Sequence, residues 1–223
     1  MQGISYSVDL VLCIDQTGSM GHIIEKVKEH ALTFGADVRR TLEEKDKSIN
    51  ALRVKVIGFR DYYFDGDESM EESEFFSLPE DDSAYNSFVK GLRADGGGDE
   101  PESGLEALAI AMQSKWAKDT KHRQVIVVWT DASAHPLEKA ASARPSNYPS
   151  TMPQSFDDLT DMWEGQSYMS GSNKRLIMFT PDAAGWTDIA ANWEQTVHFP
   201  SKAGAGLQDH EYSEILDSIA NSV

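Results

Sequence analysis

Three short stretches of the chain carry oxygen-bearing side chains at spacings that suit a hard cation. The first is Asp15-Gln16-Thr17-Gly18-Ser19. Alternate residues of an extended turn share a side, so one carboxylate and two hydroxyls converge there. An all-oxygen set of this kind selects Mg²⁺, Mn²⁺ or Ca²⁺ over softer metals. The second stretch, GGGDEPESG at 96–104, places Asp99, Pro101 and Glu102 behind glycines that let the backbone fold tightly. The third, Thr130-Asp131-Ala132-Ser133-Ala134-His135, follows the most strand-like run in the sequence. Each stretch also has a blander explanation. Thr17 or Ser19 could cap the helix that follows, Pro and acids in a first turn stabilise any helix, and an Asp after a strand can be a turn residue. Three such loops together are much harder to read as independent turns.

The elements that position these loops follow from periodicity. Short apolar runs alternate with longer amphipathic ones, the pattern of βαβ units and a mainly parallel sheet. Strands are expected at 8–14, 52–59, 75–78, 124–129, 175–179 and 196–199, with 75–78 pairing antiparallel to the second strand at an edge. Helices are expected at about 22–42, 83–92, 103–118 and 211–219. The reading is an α/β fold: a doubly wound, mostly parallel central sheet of about six strands with one antiparallel edge, flanked by helices, in a single domain over 1–223. Each loop then follows a strand's carboxyl end or opens a helix, the edge at which open parallel sheets bind ligands. Two stretches resist the pattern. Residues 61–74 form an acidic insert, expected to be an exposed loop, and residues 142–155, with three of the eight prolines, should be irregular.

Composition narrows the function classes. A formal charge of −17 over 223 residues repels phosphodiester backbones and anionic lipid, so neither nucleic acid nor a membrane is an expected partner. No stretch reaches the length of a membrane span, and the first residues lack the basic and apolar regions of a signal peptide. The single Cys13 sits in an apolar run and cannot form an internal disulfide. These features predict a cytoplasmic protein.

With these residues in view, the chain resembles the von Willebrand factor A family, whose metal-ion-dependent adhesion site combines Asp-x-Ser-x-Ser, a Thr or Glu, and an Asp. Asp15, Thr17 and Ser19 match the first element, with Thr in place of the usual Ser. DEPESGLEAL and WTDASAH are similar to the integrin β-subunit I-like branch, which has Asp-x-Pro-Glu and Thr-Asp-Ala-x-x-His. The resemblance implies that Asp15, Thr17, Ser19, Glu102 and Asp131 hold Mg²⁺ or Mn²⁺. It further implies a second cation, Ca²⁺, held by Asp61, Asp99, Pro101 and a shared Glu102, although Gly97 stands where an amide ligand is usual. A third site of that branch needs acids where His22 and Ile23 stand, and is not expected.

The same resemblance implies binding and not turnover, with an Asp or Glu of a partner protein filling the cation's open position. Two other readings share these residues. One is a serine hydrolase using Ser19, since Thr17-Gly18-Ser19-Met20-Gly21 misses a nucleophile elbow by one residue and His198 or His210 could serve as base. The other is a scaffold in which the cation only staples the loops. A dinucleotide site is excluded, because Asp15 puts negative charge where a pyrophosphate would lie.

Overall fold

The structure, a computed structural model, describes residues 5–223 apart from 32, 98–99, 120–121, 140, 166 and 202–211. Among the described residues seven strands form one sheet: β1 (Ser5–Asp15), β2 (Ser48–Phe59), β3 (Met70–Glu72), β4 (Phe76–Leu78), β5 (His122–Trp129), β6 (Lys174–Pro181) and β7 (Thr196–Ser201). The helices are α1 (Gly21–Ala31), α2 (Phe34–Glu43), α3 (Asp82–Gly91), α4 (Gly104–Met112), α5 (Phe156–Glu164), α6 (Trp186–Asn192) and α7 (Tyr212–Ser222). The sheet order is β3-β2-β1-β5-β6-β7, with β4 also on β2. All pairings are parallel except those of β3 and β4 with β2.

This is the expected α/β architecture, with both faces of the sheet covered. In β1, Leu10, Leu12 and Ile14 point into the layer containing α1, α2, α3 and α7, whereas Val11 and Cys13 point into the layer of α4, α5 and α6. Such two-sided burial explains why the central strands read as continuous apolar runs. The chain leaves β1 for β2 on one side and returns to β5 on the other. Strand order therefore reverses between β1 and β5, and their carboxyl ends open the crevice where the three loops gather.

Several local expectations need correction. The anticipated helix over 22–42 is two helices, because α1 packs on α3 while α2 turns to meet β2 and α7. Gly35 supports that turn: an added Cβ would come within 3.1 Å of Leu78 on β4. The helix expected over 103–118 stops at Met112, where the Trp116 indole donates to the carbonyls of Ala111 and Met112, both at 3.0 Å, and so caps the helix end. The acidic insert is not wholly exposed. Tyr62 and Ser69 are buried, and β3 pairs antiparallel with Ile57–Phe59, giving the edge of β2 a partner. Two helices went unread. One of them, α5, carries a sequence signal, since the Ser155 hydroxyl accepts from the Asp158 amide at 3.0 Å. Beyond a short 3-10 turn at Ala141–Ala143, the proline-rich remainder of the stretch 142–155 is irregular. Glu211, the expected start of the last helix, lies outside the described residues.

A polar knot closes the opposite end of the sheet. Asp9, fully buried on β1, accepts from Arg53 Nε at 2.7 Å, from His122 Nε2 at 2.8 Å and from the Ala117 amide at 2.8 Å, with Arg53 Nη2 on its second oxygen. His122 Nδ1 also meets Asp119 at 2.9 Å. Burial alone would raise the Asp9 pKa, but these hydrogen bonds outweigh it and hold the carboxyl below its usual range.

Candidate functional site

The first loop begins where β1 ends. Asp15 is fully buried, and its Oδ1 accepts from the Thr17 amide at 2.8 Å and the Thr17 hydroxyl at 2.6 Å. Thr17 makes no side-chain capping bond to the helical turn at Gly18–Met20, so capping does not account for its hydroxyl. The Ser19 hydroxyl, on the exposed side of that turn, donates to Asp131 Oδ1 at 2.9 Å and stands 3.4 Å from the Thr17 hydroxyl. Residues 112 positions apart are thus joined, because Ile14 lies beside Trp129 in the parallel register.

Sequence reasoning missed Thr130. Its hydroxyl donates to Asp15 Oδ2 at 2.6 Å and accepts from the Ala132 amide at 3.0 Å, so it fixes the carboxylate from the far side. The residue stood in the quoted third loop, but only the β1–β5 pairing shows what it faces.

Glu102 is sewn in by its backbone. Its amide donates to Ser133 O and its carbonyl accepts from the His135 amide, each at 2.9 Å, making a short parallel bridge with the third loop. The next residue, Ser103, bonds to β2's exit through Arg60 O and the Tyr62 amide. Gly104 must lack a side chain, since a Cβ there would sit 2.5 Å from the Trp186 ring. Gly97 has φ of 72°, and a Cβ on it would lie 2.8 Å from Thr17 Cγ2 and 3.0 Å from Glu102 Oε1. Thr17 and Glu102 therefore approach the same glycine from two loops.

Two buried carboxylate oxygens in this group, Glu102 Oε2 and Asp131 Oδ2, have no hydrogen-bond partner. Burial, followed by the charge of Asp15, Asp61, Asp65 and Glu100, pushes Glu102 up to about 9. Burial also pushes Asp15 up to about 6; hydrogen bonds from Thr130 and Thr17 offset part of that rise, and the Asp131 charge adds to it. Among the described residues, no three His, Cys, Asp or Glu side chains form a metal-binding group on their own. What direct hydrogen bonds bring together is Asp15, Thr17, Ser19 and Asp131, with Glu102 approaching the same glycine as Thr17. That chemistry fits a hard divalent cation.

The residues assigned to a second cation are placed differently. Asp61 is buried, with Oδ1 accepting from the Tyr63 amide at 2.8 Å and lying 3.1 Å from His135 Nε2. Pro101 is half-buried and precedes Glu102 in the loop, while Asp99 lies outside the described residues. Asp65, which sequence reasoning passed over, accepts from the Asp61 amide at 3.0 Å and the Gly97 amide at 3.2 Å. The insert and the proline-rich stretch also meet, through Asn147 on Gly66 O and an edge-on contact of Tyr62 with Tyr148.

The Ser19 hydroxyl is not paired with a histidine among the described residues; the one hydroxyl that His198 meets is that of Thr180. Ser19 gives its proton to Asp131, and His198 Nε2 contacts Thr180 at 3.0 Å. His210 lies outside the described residues. No described helix is long and apolar enough to cross a membrane.

With this geometry in hand, known proteins can be set beside the chain. No protein-family model matches it. It is similar to the alpha-protein kinase vwkA of Dictyostelium discoideum, 24% identical over 98% of this chain and 34% of that protein. A putative ariadne-like RING finger protein of Acanthamoeba polyphaga mimivirus is 30% identical over 57% of this chain and 11% of its own length. The chain thus spans about a third or less of these relatives. Among solved structures, the pilus adhesin SpaC from Lactobacillus rhamnosus GG superposes with a TM-score of 0.57 at 13% identity, covering 99% of this chain and 31% of that one. The PilB minor pilin from Streptococcus sanguinis gives 0.54 at 11% identity, over 99% of this chain and 62% of its own. At such identities the likeness is one of fold.

Proposed function

We propose that the chain is a von Willebrand factor A-type binding domain that holds one Mg²⁺ or Mn²⁺ through Asp15, Thr17, Ser19, Glu102 and Asp131 and engages an acidic side chain of a partner protein. The observation that carries this reading is the pair of unpartnered, buried carboxylate oxygens on Glu102 and Asp131, beside the Thr17 and Ser19 hydroxyls. A buried carboxylate oxygen left without a partner is costly, and a cation removes that cost. A bound divalent ion would supply an electrophilic position for a partner carboxylate. The chain's own part is to hold the acids and hydroxyls in place, with Thr130 and the Thr17 amide fixing Asp15. Three acids over-neutralise a divalent charge, so an incoming carboxylate binds less tightly than it would with a Thr in place of Glu102. Binding and not turnover is favoured because both hydroxyls are bonded to carboxylates that this reading assigns to the cation, and among the described residues no histidine bonds to either hydroxyl. A cytoplasmic setting and a protein partner are part of the same reading. Exposed Phe64, carried on the Asp61–Asp65 turn whose backbone is hydrogen-bonded to itself, is a natural rim contact.

The test uses short synthetic peptides carrying one central Asp, with Asn in its place as control. Binding is expected in Mg²⁺, with loss in EDTA, with the Asn peptide and with Ser19→Ala; the last should weaken it about tenfold or more, as deleting a hydrogen bond to a charged group does. Metal-dependent turnover on an esterase or phosphatase panel, abolished by Ser19→Ala, would overturn the reading.

Proton linkage gives a second expectation. With a value of about 9, Glu102 is protonated at neutral pH in the metal-free protein, and a ligand carboxylate must lose that proton. Mg²⁺ affinity should therefore rise with pH, roughly tenfold per unit, between the Asp15 value of about 6 and the Glu102 value of about 9. Calorimetry in Tris and in HEPES should show release of about one proton per ion near pH 7. A pH-independent affinity would remove Glu102 from the ligand set.

A further inference from the structure

The second cation implied by sequence resemblance needs Asp61 as a ligand, yet that carboxylate is already faced by a histidine with an ammonium behind it. Its Oδ1 lies 3.1 Å from His135 Nε2, and the other ring nitrogen, Nδ1, is 3.0 Å from Lys139 Nζ. An ammonium offers only donors, so Nδ1 must accept, and the ring proton therefore sits on Nε2, facing Asp61. The contact departs from hydrogen-bond directionality and is electrostatic in kind. Both ends of this line are fixed. The His135 amide is bonded to Glu102 O at 2.9 Å, and Lys139 Nζ rests 3.3 Å from the centroid of the Tyr63 ring, a cation–π seat. Tyr63 in turn follows Asp61 by two residues and donates its amide to that carboxylate.

We propose that Lys139, acting through His135, is a built-in cation that takes the place of the second metal at Asp61, so that the chain binds one divalent ion and not two. This rests on the function proposed above. The electrostatic logic is direct: a buried Asp at the end of β2, next to Glu102 and Asp65, requires positive charge, and a tethered ammonium provides it at every metal concentration. Gly97, where an amide ligand would be needed, removes a donor from the alternative site. Burial lowers the Lys139 pKa below its usual value, and the charges of Asp61 and Glu106 offset part of that fall.

Two measurements test the proposal. Native mass spectrometry and calorimetry with Mg²⁺, Mn²⁺ and Ca²⁺ should give one ion per wild-type chain. Two ions, one of them lost in Asp61→Asn, would overturn this inference and leave the proposed function standing, whereas no ion at all would overturn both. In EDTA the contact itself is read from a thermal cycle. Lys139→Met and Asp61→Asn should be strongly non-additive, the double variant melting within about 2 °C of the less stable single one. Additive losses would mean that Lys139 does not serve Asp61, and the proposal would fall.

Discussion

Millimolar Mg²⁺ is expected to raise the melting temperature of the wild-type chain by about 5–10 °C, and Asp131→Ala to abolish the rise. At roughly a hundred times the dissociation constant, an ion that binds only the folded state adds about 2.7 kcal/mol. For a chain of this length each kcal/mol moves the midpoint by about 2–4 °C. Asp131 also makes the experiment directional. In the metal-free protein its Oδ2 is buried and unpartnered, and its Oδ1 loses only the bond from the exposed Ser19 hydroxyl, which water can replace, so removing the carboxylate should cost little stability. A residue whose loss is harmless in EDTA and costly in Mg²⁺ is a ligand, whereas a structural turn residue would cost the same in both. Identical melting curves of the wild type across EDTA and millimolar Mg²⁺ or Mn²⁺ would remove the foundation of the adhesion-site reading.

Asp9→Ala should lower the melting temperature by about 6–20 °C with no change in metal response. Removing one member of a buried charged cluster typically costs about 3–5 kcal/mol, which at about 2–4 °C per kcal/mol gives that range. The lower half is the better expectation, because the Arg53 side chain is 29% exposed and can rehydrate. The pH dependence has two sides. His122 is raised above 6.5, chiefly by its bond to Asp9, so its contribution is complete below the unfolded value and is lost as pH rises through the folded one. Asp9 is lowered below 3.8, so its contribution is complete above that value and is lost as pH falls through the folded one. The cluster should stabilise most between about 4 and 6.5. Asp9→Ala should therefore flatten stability on both flanks of that window. A variant melting within a degree or two of wild type would show the knot to be energetically idle. Because Asp9 lies six residues before Asp15 on β1, about 20 Å along the strand, this variant separates loss of fold from loss of the site.

The sequence by itself determined the alternation of strands and helices, since burial on both faces of a parallel sheet requires continuous apolar strands and one-sided apolar helices. It also determined the first of the three loops, because the spacing of Asp15, Thr17 and Ser19 is local geometry: the Asp15–Thr17 bond closes within three residues. Where periodicity misled, packing had intervened, as in the break between α1 and α2 and the early end of α4 under Trp116. Only the tertiary structure decided which distant groups meet. Ser19 reaches Asp131, Thr130 braces Asp15 and His122 binds Asp9 because β1 and β5 are neighbours in a fixed register. Likewise, Lys139 reaches Asp61 through His135 because the third loop bridges Glu102 beside the exit of β2. Charges that read in the sequence as a uniform acidic surplus are sorted by these contacts into satisfied and unsatisfied ones. That sorting depends on burial and on partners more than a hundred residues away, which no local spacing encodes.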